Sequence, residues 1–520
     1  MDRGEMLDRL ASHGGQWDMV VIGGGATGMG CALDAASRGY QVALVEQHDF
    51  GKGTSSRSTK LVHGGVRYLE QGNITLVMEA LKERGILREN APHLVSDLAF
   101  VVPNYEWWES PFYGIGLRLY DLLAGKYGFG ASQNLAKEET LARLPTLKEE
   151  GLRGGVVYFD GQFDDARLLV HLALTAAEQG AVLVNYCPAV GLLKNADGLV
   201  GGVAVRDVES GREVELRARA VINATGCFSD TVRRMADPDS SAMVAPSQGV
   251  HLVFDGSFLR GNSAIMVPHT SDGRVMFAIP WHGHTLVGTT DTALDGVELE
   301  PSPLEREIDF ILETAGQYLD HPPGRQDILS AWAGIRPLVR SAAGASTASL
   351  SRDHSIHIDP SGLLTIAGGK WTTYRRMAED CVNQAAVLAG LEERACVTRN
   401  LRVHGYHHHS AKFAHLSVYG SDALPILDMV RAHPERGALL NASLPYLEAE
   451  VIWAARWEMA RSVEDVLARR TRALQLNARA ALEMAPRVAQ LLARELGRDS
   501  AWQSRQVSEF AAMAANYIPA

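Results

Sequence analysis

Short, unbroken apolar runs separated by helical stretches dominate the start of the chain. The run MVVI at 19–22 is followed by a glycine-rich turn, a helical stretch to about Arg38, and the run VALV at 42–45. Unbroken apolar runs of this length, bounded by turn residues, are typical of buried strands. The pattern therefore predicts a strand, a tight turn, a helix and a second strand.

Similar apolar runs recur further along the chain. Residues 181–184 and 221–226 predict two more buried strands, and residues 362–369 predict another that runs into a helix starting near Thr372. Residues 95–160 are instead rich in aromatic, glycine and proline residues, and 231–335 carries alternating, strand-like runs. The change in character predicts a second domain inserted into the first.

From about Ala395 the sequence shifts to Ala, Leu, Arg and Glu at helical spacing, as in residues 449–459. This shift predicts a C-terminal helical domain. We expect the first domain to be discontinuous and to comprise residues 1–95, 161–230 and 336–394. The inserted α+β domain comprises residues 96–160 and 231–335, and the C-terminal helical domain comprises residues 395–520.

Composition narrows the classes of partner. The chain has 520 residues, 46% of them hydrophobic, and a formal net charge of -11, which argues against nucleic acid and confines any basic site to a local cluster. The five cysteines lack metal-ligand spacing, which suits a reducing cytoplasm and predicts no disulfide. Neither a secretory signal nor a run of ~20 apolar residues is present, so we expect any membrane contact to be peripheral.

The glycine-rich turn carries candidate cofactor chemistry. Gly23, Gly25 and Gly28 have the spacing GxGxxG between a strand and a helix, which lets the backbone approach a pyrophosphate at the helix N-terminus. Glu46 ends the second strand, where an acid accepts hydrogen bonds from ribose hydroxyls. This motif predicts a Rossmann-like, dinucleotide-binding α/β domain. FAD and NAD are hard to separate on the motif alone, and the later strands at 221–226 and 367–370 favour FAD.

The run TSSRSTKLVHGGVRYLE at 54–70 closely resembles the signature of FAD-dependent glycerol-3-phosphate dehydrogenases. Further landmarks of that family follow in order, in all the predicted domains: residues 164–168, 279–281, 288–291, 334–338, 351–353, 368–374 and 463–472. The resemblance implies a fold like that of D-amino acid oxidase relatives, with noncovalent FAD. It also implies oxidation of sn-glycerol 3-phosphate to dihydroxyacetone phosphate, with reoxidation by a membrane quinone.

The resemblance also implies the site residues. His63 is the candidate base, with a structural hydrogen bond in the flavin region as its alternative, and Arg336 is the candidate group for orienting the hydroxyl and stabilising an alkoxide. The expected substrate ligands are Arg67, Tyr68, Arg336, Arg352 and Lys370. The expected FAD ligands are Gly23, Gly25, Ala26, Thr27, Gly28, Glu46, Ser55, Ser56, Lys60, Leu61, Gly64, Gly226, Gly369, Lys370 and Thr372.

Several alternatives stay open at this stage. The rival activities are a glycerol-3-phosphate oxidase, a flavin oxidoreductase for another hydroxy or amino acid, and a flavin-binding regulator without turnover. Gln248 departs from the lysine expected in the family, which puts binding near that position in doubt. We expect a cytoplasmic protein on the inner face of the cell membrane, and a homodimer is compatible with the sequence.

Three further segments are ambiguous. The stretch 107–123 combines aromatic residues with an apolar face, which suits either a membrane interface or a packed helix. The basic run 469–472 suits either anionic lipid or a salt-bridged helix surface. The tract His407 to His409 has no other ligands patterned around it, so we predict an exposed loop and no catalytic metal.

Overall fold

The structure, a computed structural model, describes residues 1–70, 72–268, 270, 274–340 and 353–519, without the side chains of Arg67 and Glu70. Twenty strands occur in this part of the chain: β1 Trp17–Ile22, β2 Val42–Val45, β3 Leu61–Val62, β4 Val95–Asn104, β5 Gln133–Ala136, β6 Gly154–Phe163, β7 Val182–Val184, β8 Ala189–Lys194, β9 Val200–Arg206, β10 Glu213–Asn223, β11 Val244–Asp255, β12 Ser263–Val267, β13 Met276–Trp281, β14 His284–Gly288, β15 Thr292–Ala293, β16 Ser330–Val339, β17 His354–Ile358, β18 Leu364–Gly368, β19 Leu439–Asn441 and β20 Leu444–Leu447.

The same part contains fifteen α-helices: α1 Arg3–Ser12, α2 Ala26–Ser37, α3 Val66–Glu70, α4 Ile74–Asn90, α5 Glu109–Ala124, α6 Lys137–Arg143, α7 Asp165–Glu178, α8 Ser229–Ala236, α9 Glu305–Tyr318, α10 Tyr374–Leu388, α11 Ala423–Ala432, α12 Glu448–Trp457, α13 Ala473–Leu476, α14 Ala478–Leu496 and α15 Ser500–Ala514. A π-helix, Asp465–Arg470, precedes α13.

The first sheet is built largely from the apolar runs that the sequence predicts. Its order is β17-β18-β10-β1-β2-β7, with β9 joined to β10 and β8 joined to β9. The pairs among β18, β10, β1, β2 and β7 are parallel, and β1 and β2 are almost wholly buried because α2, α7 and α10 pack against this core. This layering confirms the predicted α/β fold with a Rossmann-like domain.

The second sheet contains ten strands in the order β15-β11-β14-β13-β12-β4-β6-β3, with β16 paired to β11 and β5 paired to β6. All its pairs are antiparallel except β4 with β12. One hydrophobic cluster joins residues of this sheet to α4, α5 and α14, and another joins them to α9. The second sheet is thus covered on both faces. The domain boundaries drawn from the sequence stay a prediction.

The basic run 469–472 is buried at the junction with the C-terminal helices. Arg470 bonds both carboxylate oxygens of Asp49 (2.7 and 2.9 Å), and Arg469 bonds the same carboxylate (2.6 Å). Arg472 bonds Asp165 at 3.0 Å, and all three arginines are at most 2% exposed. The salt bridges expected from the sequence are present, but the expected surface location and lipid contact are wrong, because these guanidiniums pair with buried carboxylates.

His404 makes a second charged link to the C-terminal region. Its two ring nitrogens face the carboxylates of Glu178 (2.5 Å) and Asp422 (2.7 Å). Burial acts against the protonated ring, but the hydrogen bonds to Asp422 and Glu178 outweigh it and raise the pKa of His404 to about 9.

The tract His407 to His409 lies in a loop with His408 and His409 exposed, which confirms the predicted exposed loop. Among the described residues, no helix is long and apolar enough to cross a membrane.

Candidate active site

The glycine motif forms a close-packed turn between β1 and α2. Gly23 has φ +110°, and a Cβ there would lie 2.7 Å from the carbonyl oxygen of Ala224 at the end of β10. A Cβ on Gly28 would overlap the carbonyl oxygen of Gly23. Larger residues would push α2 away from β1, so the glycines keep the helix N-terminus close to the sheet edge, where its N–H groups favour an anion.

Glu46 lies beside this turn, at the end of β2. Its carboxylate accepts hydrogen bonds from the backbone N–H groups of Gly24 (2.7 Å) and His48 (2.9 Å), and burial raises its pKa. These two bonds fix the carboxylate at the wall of the cavity in front of α2. A carboxylate has further lone pairs, so it can still accept hydrogen bonds from ribose hydroxyls.

The cavity has a volume of about 410 Å³ and extends along the carboxyl ends of the parallel strands. Nine of the predicted cofactor ligands line it: Gly23, Gly25, Ala26, Thr27, Glu46, Ser55, Gly226, Gly369 and Lys370. Ser55 also accepts the N–H of Ala26 at 2.9 Å, which ties the loop after β2 to the first turn of α2. A glycine cradle, an open helix N-terminus and a ribose acid fit a dinucleotide such as FAD.

Six other predicted ligands are described but lie outside that lining: Gly28, Ser56, Lys60, Leu61, Gly64 and Thr372. Gly28 packs α2 onto the turn, and Leu61 belongs to β3 in the second sheet. The N–H of Gly64 donates to the hydroxyl of Tyr120 at 2.8 Å. Direct contact with FAD stays a prediction for these six positions.

Lys60 is fully buried behind the cavity. Its ammonium donates to Asp165 (2.6 Å) and to the carbonyl of Ser56 (2.8 Å), and it lies 4.7 Å from the ring centroid of Trp332. Burial and the guanidinium of Arg472 lower the pKa of Lys60 to about 7, against the opposing effect of Asp165. This geometry favours a structural role for Lys60 over contact with a pyrophosphate.

His63 and Lys370 are connected through the loop that follows β18. The backbone N–H of His63 donates to the hydroxyl of Thr372 at 3.2 Å. Lys370 lines the cavity, and its ammonium lies 3.9 Å from the ring centroid of Tyr68. The structure thus places the backbone of His63 and the ring of Tyr68 against residues 370–372, of which Lys370 lines the cavity.

Arg336 reaches this region from β16. The carbonyl of its neighbour Ile335 accepts hydrogen bonds from Thr54 (2.6 Å) and Cys227 (3.3 Å), and both of these residues line the cavity. The guanidinium itself donates to the carbonyl of Thr290 at 3.0 Å. The second sheet therefore carries Arg336 to the edge of the cavity formed by the first sheet.

A carboxylate and a second arginine accompany Arg336. Asp291 lies 3.5 Å from the guanidinium of Arg336 and 3.4 Å from that of Arg274. Two guanidiniums thus lie around this carboxylate, and guanidinium groups are the donors that suit an anionic substrate. Burial and the charges of Lys60 and Arg336 hold the pKa of His251, which stacks on Trp332, well below its ordinary value.

Gln248 contacts protein groups. Its amide donates to the carbonyl of Ser302 (3.1 Å) and to the carboxylate of Glu307 (2.8 Å), and the residue is 3% exposed. The departure from lysine at this position therefore alters an internal contact with Glu307.

Two predicted ligands cannot be placed fully. Arg352 lies outside the described residues, and Arg67 is placed only by its backbone in α3. In the described part of the chain, no group of three or more His, Cys, Asp or Glu residues is arranged to hold a metal ion.

The sequence reasoning missed several residues at the site. Thr54, Cys227 and Trp371 line the cavity, and Arg274 joins Asp291 beside Arg336. Thr54 and Trp371 stand inside quoted family motifs, so a stricter residue-by-residue comparison of those motifs would have found them. Arg274 stands in no motif that the sequence analysis singled out.

Comparison with known proteins identifies the family. Residues 18–375 match the FAD dependent oxidoreductase family, and residues 364–503 match the C-terminal domain of alpha-glycerophosphate oxidase. The mitochondrial glycerol-3-phosphate dehydrogenase of Homo sapiens is 44% identical over 526 residues, covering 95% of this chain and 72% of the relative.

Solved structures agree with these sequence matches. The glycerol-3-phosphate dehydrogenase from Bacillus halodurans, complexed with FAD, has a TM-score of 0.81 and 30% identity, covering 99% of this chain and 98% of that one. The L-alpha-glycerophosphate oxidase from Mycoplasma pneumoniae, with FAD bound, has a TM-score of 0.56 and 18% identity, covering 74% and 98%, and shows the shared fold alone.

The expectation of an FAD enzyme is confirmed by the family match, which spans both sheets. The glycine cradle, the ribose acid and the lining of the cavity fit that cofactor. This chain therefore belongs to the glycerol-3-phosphate dehydrogenases within the FAD-dependent oxidoreductase family.

Proposed function

We propose that this protein oxidises sn-glycerol 3-phosphate to dihydroxyacetone phosphate and passes the electrons to a membrane quinone. The observation that carries the proposal is the cationic end of the cavity. In a chain of net charge -11, Lys370 lines the cavity, and Arg336 and Arg274 lie near its edge around one carboxylate. A phosphate monoester is the kind of ligand that such a local cation cluster recognises. The family membership supports the same substrate.

Oxidation of the secondary alcohol requires a hydride to leave C2 and a proton to leave the hydroxyl group. FAD, when bound, supplies the hydride acceptor. We propose that His63 accepts the hydroxyl proton. Its backbone N–H donates to Thr372, two residues after Lys370, which lines the cavity. Arg336 orients the hydroxyl oxygen and stabilises its developing negative charge. Lys370, Tyr68, Arg67 and Arg352 hold the phosphate end, and the charge of Arg336 contributes to binding it.

A face of α5 supports the membrane part of the proposal. The helix buries Tyr113, Leu117 and Tyr120, whereas its opposite side exposes an apolar seam at helical spacing: Trp108, Phe112, Ile115, Leu119 and Leu122. Trp107 beside the seam is 75% exposed and Leu122 is 76% exposed, which is unusual for residues of this size.

An amphipathic helix with tryptophans at one end and exposed cations, Arg118 and Lys126, is suited to a bilayer surface. We therefore propose that this seam binds the cytoplasmic face of a membrane, from which the quinone is drawn. The stretch 107–123 thus combines both interpretations from the sequence: one side packs in the protein, and the other is available to meet lipid.

The substrate is tested by adding sn-glycerol 3-phosphate anaerobically to the purified yellow protein, with glycerol as the control. Bleaching of the flavin band by the phosphate ester alone is the expected result, because glycerol lacks the anion that the cations bind. A flavin that no glycerol phosphate bleaches would refute the substrate and leave other hydroxy or amino acids to test. A colourless protein without turnover would favour the non-enzymatic alternative, a regulator.

The acceptor is tested by following reoxidation of the reduced protein with a quinone analogue and with dissolved oxygen. Faster reoxidation by quinone supports the dehydrogenase, and rapid peroxide formation would identify an oxidase.

Membrane binding is measured by co-sedimentation with anionic vesicles. Ile115→Ser and Leu122→Ser should each weaken sedimentation, whereas Val387→Ser, at an 82% exposed position on α10, should not.

A further inference from the structure

Arg336 is held by the backbone of two residues, Gln248 in β11 and Thr290 in the segment between β14 and β15. Its guanidinium donates to the carbonyl of Gln248 at 3.3 Å and to the carbonyl of Thr290 at 3.0 Å, and a third bond goes to the hydroxyl of Thr289 at 3.1 Å. A guanidinium is a planar fork with fixed donor directions. These two carbonyls, together with the hydroxyl of Thr289 and the carboxylate of Asp291 at 3.5 Å, direct the fork.

The side chains of Gln248 and Thr290 both donate hydrogen bonds to one carboxylate, that of Glu307. Glu307, on α9 and 3% exposed, accepts hydrogen bonds from the amide of Gln248 (2.8 Å) and the hydroxyl of Thr290 (3.0 Å). It also accepts from the hydroxyl of Thr292 (2.6 Å) and the N–H of Leu304 (3.0 Å). Four donors fill the four acceptor positions of a carboxylate, so its placement is fully determined.

We propose that Glu307 is a positioning residue that sets the geometry of Arg336 through Gln248 and Thr290. The inference rests on the proposed function, in which Arg336 contacts the substrate. Glu307 and Arg336 have no direct bond among the hydrogen bonds of the described residues, so the effect of Glu307 passes through the two intervening residues. Displacement of a catalytic group by ~1 Å can cost a factor of about 100 in rate.

This arrangement also gives a role to Gln248, the position at which the sequence departs from the expected lysine. The amide of Gln248 donates to Glu307, while its carbonyl receives Arg336. A residue at position 248 with a side-chain donor keeps the hydrogen bond to Glu307, and an apolar residue there removes it.

The test compares Glu307→Gln with Glu305→Gln. Both changes lie in the first turn of α9, but the side chain of Glu305 is 67% exposed and pairs at the surface with Arg325. The amide introduced by Glu307→Gln turns its NH2 group toward groups that donate to the wild-type carboxylate, so at least one of those bonds is lost. We expect substrate-driven flavin reduction to slow by at least about tenfold in the first variant only, because partial displacement of Arg336 loses part of the rate that alignment supplies.

Two further variants separate positioning from folding. Gln248→Met removes the amide donor at similar size and should slow the same step. The double variant Gln248→Glu with Glu307→Gln restores a carboxylate and amide pair in reverse order without the bond to Ser302, and should recover part of the rate that Glu307→Gln alone loses. Reoxidation of the reduced flavin by a quinone analogue and flavin content should stay near wild type in all of them, which a general structural defect would not allow.

Titration with inorganic phosphate, followed by the flavin spectrum, gives a readout that needs no turnover. Glu307→Gln should weaken phosphate binding relative to wild type and Glu305→Gln. Unchanged phosphate binding and an unchanged reduction rate in Glu307→Gln would overturn the positioning role. If wild-type flavin is not bleached by glycerol phosphate, the proposed substrate fails, and the phosphate titration still decides the inference.

Discussion

The buried arginine run predicts how strongly the C-terminal helices are coupled to the cofactor domain. Arg470 donates to both oxygens of Asp49 and to the carbonyl of Glu458 (2.7 Å). Asp49 lies three residues after Glu46, on the loop that borders the cavity. Replacing Arg470 by Met keeps the apolar stem and removes all three bonds.

We expect Arg470→Met to destabilise the fold strongly, because the carboxylate of Asp49 stays buried after its partner is removed. Breaking a buried ion pair by removing one partner typically costs about 3 to 5 kcal/mol. Asp49 keeps one guanidinium, that of Arg469, and a weak bond from Asn185 at 3.3 Å. We therefore expect Arg470→Met to lower the free energy of unfolding by about 3 kcal/mol, at the lower end of that range.

The assay is urea unfolding of the holoenzyme, together with the fraction of FAD retained after gel filtration. The matched control is Arg456→Met, which breaks a bidentate pair with Glu495 (2.6 and 3.1 Å) at a 42% exposed position. That surface pair is expected to contribute less than about 1 kcal/mol. A loss below about 1 kcal/mol for Arg470→Met, or equal losses in the two variants, would refute the reasoning.

Three other variants test the cofactor turn, the charged link at His404 and the loop of the candidate base. Gly28→Ala should overlap the Gly23 carbonyl and weaken FAD binding by about tenfold or more, corresponding to about 1 to 3 kcal/mol of overpacking. Gly116→Ala, on α5 and with open space at its Cβ, should leave FAD binding unchanged; fluorescence titration of the apoprotein measures both. The pKa of His404 is raised in the folded protein to about 9 from 6.5, so its protonated ring should stabilise the fold by about 2 kcal/mol, a value discounted because Glu178 is exposed. This stabilisation should be complete below pH 6.5 and lost as the pH rises through 9. His404→Gln should therefore flatten the dependence of melting temperature on pH over that window, and a dependence equal to wild type would contradict the assignment. Tyr120→Phe should slow flavin reduction without loss of vesicle binding, since it removes the hydroxyl that receives the N–H beside His63, and stopped-flow reduction by substrate tests it.

The parts of the fold that could be predicted from the sequence are those whose determining residues lie close together along the chain. The turn between β1 and α2 depends on glycines spaced within six residues, and the acid at the end of β2 follows at a fixed distance. Both can be recognised because the physical requirement, close approach of a helix to a strand, lies within one unit of about 30 residues. Nine cofactor positions predicted from these local motifs and the family resemblance line the cavity.

The environments of the basic run 469–472 and of Lys60 depend on partners far away in sequence. The run 469–472 looks like a basic surface, yet the carboxylate of Asp49 that neutralises Arg470 stands 421 positions earlier. Lys60 likewise pairs with Asp165 across 105 positions. A sequence pattern gives the charge of a side chain but not its distant counter-ion, so burial of a paired cation cannot be predicted from the run itself.

Helix α5 contacts the loop of the candidate base on one side and carries the proposed membrane-binding seam on the other. Its outer side exposes the apolar seam, while Tyr120 on its inner side accepts the N–H of Gly64 (2.8 Å) and donates to Asp160 (2.6 Å). Gly64 follows His63 directly, so the helix proposed to meet the membrane also supports the loop that carries the candidate base. Because Asp160 is further held by Arg84 at 2.6 Å, this support is a charge-assisted network that resists displacement when lipid contacts the outer side.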